Sequence, residues 1–155
     1  MKRLIKVQFR RRRQNKTDYY ARKRLLESGL PRLVVRKTNR YIIMQIVESK
    51  EAQDKVICST NSKELIEYGW QNPESIKNLS ASYLTGYLCG LKALKKGIKK
   101  AILDAGLIIS TKGSRIYASV KGAIEAGLNV PCSKEVLPEM EIIESIKSKI
   151  KEKNG

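Results

Sequence analysis

Residues 9–24 read FRRRRQNKTDYYARKR, and basic side chains recur at Arg32, Arg36, Lys37 and Arg40. Residues 1–40 hold 15 Lys and Arg against two acids, Asp18 and Glu27, which is +13 of the chain's +17. Ten of the eleven arginines lie here, and the other is Arg115. Guanidinium groups at this density repel one another unless a polyanion neutralises them. Arginine suits that task better than lysine, because its planar fork grips phosphate through two bonds and stacks on flat rings. The stretch reads as an RNA-binding arm that runs into the first helix of a small domain. A solubilising basic tail is the plainer alternative, since a basic block alone is a weak motif. Against it, the run passes straight into amphipathic and strand-like sequence.

A second set of phosphate-binding types is Thr111-Lys112-Gly113-Ser114-Arg115, where an extended segment meets a helix start. Backbone N–H groups, a glycine, two hydroxyls and two cations make an anion site there. The GxxxxGK[ST] spacing of a nucleotide loop is missing, so RNA phosphate is the preferred ligand, with an ordinary capped turn as the alternative. Phe9, Tyr19, Tyr20 and Tyr41 lie near the basic run; bases can stack on such rings, or the rings can be core residues. Tyr83 and Tyr87 are expected in the core.

Catalytic types are scarce. Histidine is absent, and Asp18, Asp54 and Asp104 fall in different elements, so metal-dependent cleavage has little support. Cys58, Cys89 and Cys132 are widely spaced, without a CxxC pair, and are expected to be free structural thiols. No cofactor and no metal are expected.

The elements that must position these residues follow from pattern. Thr17 is the expected N-cap of a helix running to Ser28, stopped by Gly29 and Pro31. Residues 1–14 show no helical period and are expected to be extended. RLVVRKT (32–38), YIIMQIVE (41–48) and KVICST (55–60) read as three antiparallel strands, with a tight turn at 38–40 and a polar loop, SKEAQD, before the third. Ser62 is the expected cap of a short helix ended by Gly69. Residues 75–96 give the strongest helix, with Ile76, Leu79, Tyr83, Leu84, Tyr87, Leu88, Leu91 and Leu94 at helical spacing. Its small residues Gly86, Cys89, Gly90 and Ala93 would let it approach a sheet. Lys92, Lys95 and Lys96 at its end suit either the helix dipole or RNA. A parallel strand within 98–106 and a helix from Ser114 to Glu125 complete the domain. Ile142, Ile143, Ile146 and Ile150 share one face of a last helix, either packed on the domain or ordered on binding.

The fold class is therefore α/β: a mixed sheet of three antiparallel strands, then a helix and a parallel strand, with packed helices and an extended basic arm. The expected division is an arm at 1–14, one domain at 15–138 and a helical extension at 139–155. Positive charge is confined to residues 1–40 and to 91–122, which net +7. If both fall on one side of the sheet, they make a single phosphate-binding surface. A pI near 10.0 points to nucleic acid or an anionic membrane, but no apolar run approaches the roughly 18 residues of a spanning helix. MKRLIKV lacks the apolar core of a signal peptide, so a cytosolic location is expected.

Five blocks carry a family resemblance: FRRRRQNKTDYYARKRLL, GLPRLVVRKTNRYIIMQIV, SKELIEYGW, SYLTGYLCGLKALKKG and AILDAGLIISTKGSRIYASVKGAIEAGLNVP. Together they resemble the archaeal and eukaryotic type of the universal large-subunit ribosomal protein eighteen, over roughly residues 5–138. The resemblance implies a ribonuclease-H-like fold without its catalytic acids, and a structural, non-enzymatic role in the large subunit of the cytoplasmic ribosome. It implies binding of 5S rRNA by the arm and first helix, which match Arg10, Arg11, Arg12, Arg13, Lys16, Thr17, Tyr19, Arg22, Lys23 and Arg24. The strand and turn that face RNA match Arg32, Arg36, Lys37, Thr38, Asn39 and Arg40, and the loop matches Thr111, Lys112, Gly113, Ser114 and Arg115. Implied partners are 5S rRNA, the 23S-type rRNA, the universal large-subunit protein five and other proteins of the central protuberance, with no membrane and no homo-oligomer. The archaeal type often has a longer tail after the residues matching Pro138, and no contact of that tail is carried over.

Overall fold

Two short-range devices set the sheet. Thr38 closes the first hairpin, its Oγ1 accepting from Tyr41 N and donating to Tyr41 O, each at 2.9 Å. Arg32–Lys37 (β1) thereby pairs antiparallel with Ile42–Lys50 (β2), which pairs antiparallel with Gln53–Asn61 (β3). Ile102–Asp104 (β4) adds parallel to β1, giving the order β3-β2-β1-β4 and the mixed α/β sheet that the pattern implied. The structure is a computed structural model whose described residues are 7–51, 53–139 and 144–154.

The polar stretch 49–54, expected as a loop, is mostly ladder, with Lys50 opposite Gln53 and Glu51 at φ 48 in the turn. Its polar residues stay in register because they bond one another across the strands: Ser49 Oγ donates to the Asp54 carboxylate at 2.5 Å.

Along β1 successive side chains point to opposite faces. Leu33 and Val35 enter a core with Ile42, Met44, Ile46 and Cys58. Arg32 and Val34 face the other way yet are only 3% and 8% exposed. Asn61 caps a 3-10 helix, Ser62–Tyr68, through a capping box with Glu64, and Gly69 at φ 94 ends it. Ser62, the expected cap, is buried instead, its Oγ accepting from Ile42 N at 3.1 Å.

The long helix α3 (Leu79–Lys95) starts at Asn78, whose side chain accepts from Ala81 N at 2.7 Å; residues 73–75 form a separate 3-10 turn. Residues 81–90 of α3 are all buried. Cys89 and Ala93 meet the sheet, as expected, but Gly86 and Gly90 do not serve that purpose. They face Arg115–Glu125, the fourth helix (α4) after the two N-terminal ones described below. A Cβ on Gly86 would lie 1.9 Å from Ser119 O, and one on Gly122 would lie 2.0 Å from Tyr83 O. The helices cross backbone to backbone, so Gly122→Ala forces them apart. The expected cost is about 3 kcal/mol, the upper end of overpacking, read as a lower urea midpoint at unchanged slope.

A second core cluster joins Leu65, Tyr68, Trp70, Tyr83, Tyr87 and Leu88 to Ile146 and Ile150 of the last helix, α5 (Glu144–Asn154). Of the two possibilities open for that helix, packing on the domain is the one observed. Lys147 pins it further, meeting Glu125 at 2.9 Å above the rings of Tyr83 and Tyr87. Ile142 and Ile143 lie outside the described residues. Cys58 and Cys89 are buried free thiols and Cys132 is a half-buried one. Among the described residues no helix is long and apolar enough to cross a membrane.

At the N-terminus, residues 10–13 form one helical turn (α1, Arg10–Arg13) rather than extended chain. Phe9 O accepts from Arg12 N and Arg13 N, and the Phe9 ring packs on Tyr19 at 5.2 Å, which closes the turn. The next helix is α2 (Tyr19–Glu27), with Asp18 and not Thr17 as its N-cap: the carboxylate accepts from Tyr20 N and Ala21 N. Gly29 at φ 65 follows its end.

Candidate nucleic-acid interface

The outer face of the sheet carries a line of charge that crosses all four strands. Arg32 on β1 sits at its centre, with Nη1 2.8 Å from Asp104 on β4 and Nη2 2.9 Å from Asp54 on β3. Ser49 on β2 accepts from the same Nη2 at 3.1 Å. Arg36, two same-face positions further along, donates to the Asp104 carboxylate at 3.0 Å and to the carbonyls of Asp104 and Val35 at 2.7 and 2.9 Å. Arg22 reaches down from α2 to Asp54 at 2.8 Å. Two aspartates thus hold three of the arginines assigned to RNA. Arg32 is buried and its charge is answered inside the protein. Arg22 and Arg36 keep part of their guanidinium surface in solvent, aimed by the carboxylates below.

Burial raises the Asp54 carboxyl, but hydrogen bonds from Ser49, Arg22 and Arg32 outweigh it and hold the pKa at about 2 against 3.8. A carboxyl depressed on folding adds stability above its unfolded pKa and loses it as pH falls through the folded one. Stability should therefore fall between about pH 4 and pH 2, and less steeply in Asp54→Asn, measured by urea unfolding at each pH.

The sequence-predicted residues gather in three clefts. The first, of about 150 Å³, lies between the arm and the sheet: Arg11, Lys16, Thr17, Arg22 and Arg36 line it together with Gly106. Arg11 Nε donates to Thr17 Oγ1 at 2.9 Å, folding the arm back over the start of α2. The second, of about 500 Å³, joins Lys37 to Thr111, Gly113, Ser114 and Arg115. Adjacent residues on β1 thus serve different clefts, Arg36 the arm and Lys37 the loop, so the two basic regions of the sequence meet at the end of one strand. The third, of about 430 Å³, lies between α1 and α2 and is lined by Arg12, Tyr19 and Lys23 with Phe9 and Tyr20.

Arg10, Arg13, Arg24, Thr38, Asn39, Arg40 and Lys112 are exposed outside these linings. Lys77 had no sequence signal, yet it ties the turn to the loop: its Nζ donates to Asn39 O at 2.6 Å and its carbonyl accepts from Arg115 at 3.2 Å. Asp54 and Asp104 were also missed as positioning groups. Their signal was being two of three aspartates in a strongly basic chain. Lys92 and Lys96 fall outside the three linings: Lys92 pairs with Glu64, and Lys96 donates to Ile57 O on β3.

Arg10–Arg13 stand apart electrostatically. All four are exposed, and among the described residues none has a carboxylate partner. A surface of guanidinium groups without carboxylate partners beside aimed ones, with cationic clefts between, can neutralise a run of phosphates. Among the described residues no group of three or more carboxylates or thiols could hold a metal ion.

Comparison with known proteins gives this surface its context. Residues 3–98 and 95–133 match the family described as ribosomal large subunit proteins 60S L5 and 50S L18. The large ribosomal subunit protein uL18 of Korarchaeum cryptofilum is 56% identical over 134 residues, covering 86% of this chain and 68% of that protein. The uL18 proteins of Aeropyrum pernix and Methanothermobacter thermautotrophicus are 48% and 49% identical over 134 residues. Those matches cover 86% of this chain and 62% and 69% of the two proteins. The chain thus spans about two-thirds of the length of the relatives it matches. Since the matched segments contain the arm, the four strands and the TKGSR loop, the chain belongs to the family of ribosomal large subunit proteins 60S L5 and 50S L18.

Proposed function

We propose that this protein is a structural constituent of the large ribosomal subunit that binds 5S rRNA and attaches it to the 23S-type rRNA in the central protuberance, beside the universal large-subunit protein five. Family membership supports a place in the large subunit of the cytoplasmic ribosome. The observation that carries the RNA-binding part is the exposed block Arg10–Arg13, free of carboxylate partners among the described residues, together with the end of β1, where Arg36 lines one cleft and Lys37 lines another with Arg115. The role is structural rather than catalytic: phosphate neutralisation and shape recognition fix one RNA against another. The residues proposed to touch RNA are those named from the sequence, except that Arg32 acts from within, holding the two aspartates that aim Arg22 and Arg36.

The test is binding of the purified protein to 5S rRNA at near-physiological salt with excess tRNA as competitor. Tight binding that survives the competitor is expected. Binding erased by tRNA would reduce the protein to a general basic RNA binder.

A further inference from the structure

The cleft between α1 and α2 has chemistry unlike the other two. Phe9 and Tyr20 are 71% and 72% exposed, although large aromatic rings gain most from burial. Neither α1 nor α2 has a buried residue, so these rings contribute nothing to the core. They are nonetheless arranged. Phe9 and Tyr19 lie 5.2 Å apart at 54°, and the Arg12 guanidinium carbon stands 5.6 Å from the centre of the Tyr20 ring. The cleft they line, about 430 Å³, falls within the roughly 300–1,000 Å³ of small-ligand sites.

We propose that this cleft is a stacking site for one unpaired RNA base, inserted among Phe9, Tyr20 and Arg12. The inference rests on the reading of the arm as RNA-binding and adds what that arm recognises. Duplex RNA hides its bases in the stack, whereas an aromatic slot flanked by cations accepts a base splayed from a loop or bulge, with the flanking phosphates on Arg12 and Lys23. An apolar peptide side chain would also fit the rings, but a rim of arginine and lysine favours a base that brings phosphates with it. The arm then combines two functions: Arg10–Arg13 supply charge-driven affinity at any phosphate, and the rings select a place where a base is free.

The experiment uses the full chain and 5S rRNA. Tyr20→Ala should weaken binding roughly tenfold while the salt dependence keeps its slope, since stacking releases no counterions, and Phe9→Ala should weaken it at least as much. Tyr20→Phe should bind as the wild type does. An abasic scan of the unpaired nucleotides should find one whose base matters to wild type and not to Tyr20→Ala. Circular dichroism checks that the variants fold, which the exposure of both rings leads one to expect. If both alanine variants bind as wild type while Arg10–Arg13 replacement still weakens binding, the slot is not a base site and the RNA-binding reading stands. A change of slope in Tyr20→Ala would mean that the ring only positions Arg12, which also overturns the proposal. Failure of the wild type to bind 5S rRNA would remove the reading and the proposal together.

Discussion

Alanine at all of Arg10–Arg13 should weaken binding to 5S rRNA by orders of magnitude and flatten its dependence on salt. The four guanidinium groups are exposed, and none is held by a carboxylate among the described residues. They meet phosphates without first giving up a carboxylate partner, unlike Arg22, Arg32 and Arg36, each of which has one. Each phosphate contact contributes about −0.9 to the log–log slope on a duplex and about −0.7 on a single strand, so losing four should reduce the slope by roughly 3. The side chains carry no core packing, so the unfolding midpoint should stay where it is. Titration at several salt concentrations measures both quantities. An unchanged slope would mean the arm is not on the RNA, and binding would then have to run through Lys37 and the TKGSR loop.

How much of this was readable from sequence differs by element. The sheet was, because β-branched runs broken by Thr38-Asn39-Arg40 leave few other arrangements. Parallel β4 followed from a long apolar helix that had to cross over. Boundaries failed where polar residues could take either of two jobs. Thr17 and Asp18 both suit a helix start, and the carboxylate took it because two N–H groups converge on Asp18. Ser62 lost the cap to Asn61 because its hydroxyl was needed by Ile42 N. The turn at Arg10–Arg13 has no helical period to announce it; it closes on Phe9 through a ring contact ten residues away. The glycines of α3 pointed to close packing, but a single sequence does not say against what, and the answer was α4. In the site, the basic residues were plain and their answering acids were not. Asp54 and Asp104 lie 50 residues apart in sequence and are joined only by the order of the strands that carry them.

That strand order makes the loss of Asp104 costly to the fold. Arg32 is 3% exposed and Asp104 7%, so the pair is shielded from the water that weakens surface ion pairs. Removing one partner leaves a buried charge under-compensated, at about 3–5 kcal/mol. Asp54, still 2.9 Å from Arg32, keeps Asp104→Ala near the lower end, about 3 kcal/mol. The loss spreads beyond Arg32. Asp104 Oδ1 also accepts from Gly106 N at 3.0 Å, and Gly106 sits at φ 68 with the Arg36 guanidinium against it. The same carboxylate therefore sets Arg36 and the chain that borders the arm cleft. Arg32→Leu combined with Asp104→Leu should be far less destabilising than Asp104→Ala alone, because the cost lies in the unanswered charge and not in the absent pair. Urea midpoints for the single and double variants decide the matter. A single variant as stable as wild type would show that Asp54 alone suffices for Arg32, leaving Asp104 to aim Arg36; its RNA affinity would then fall while its midpoint held.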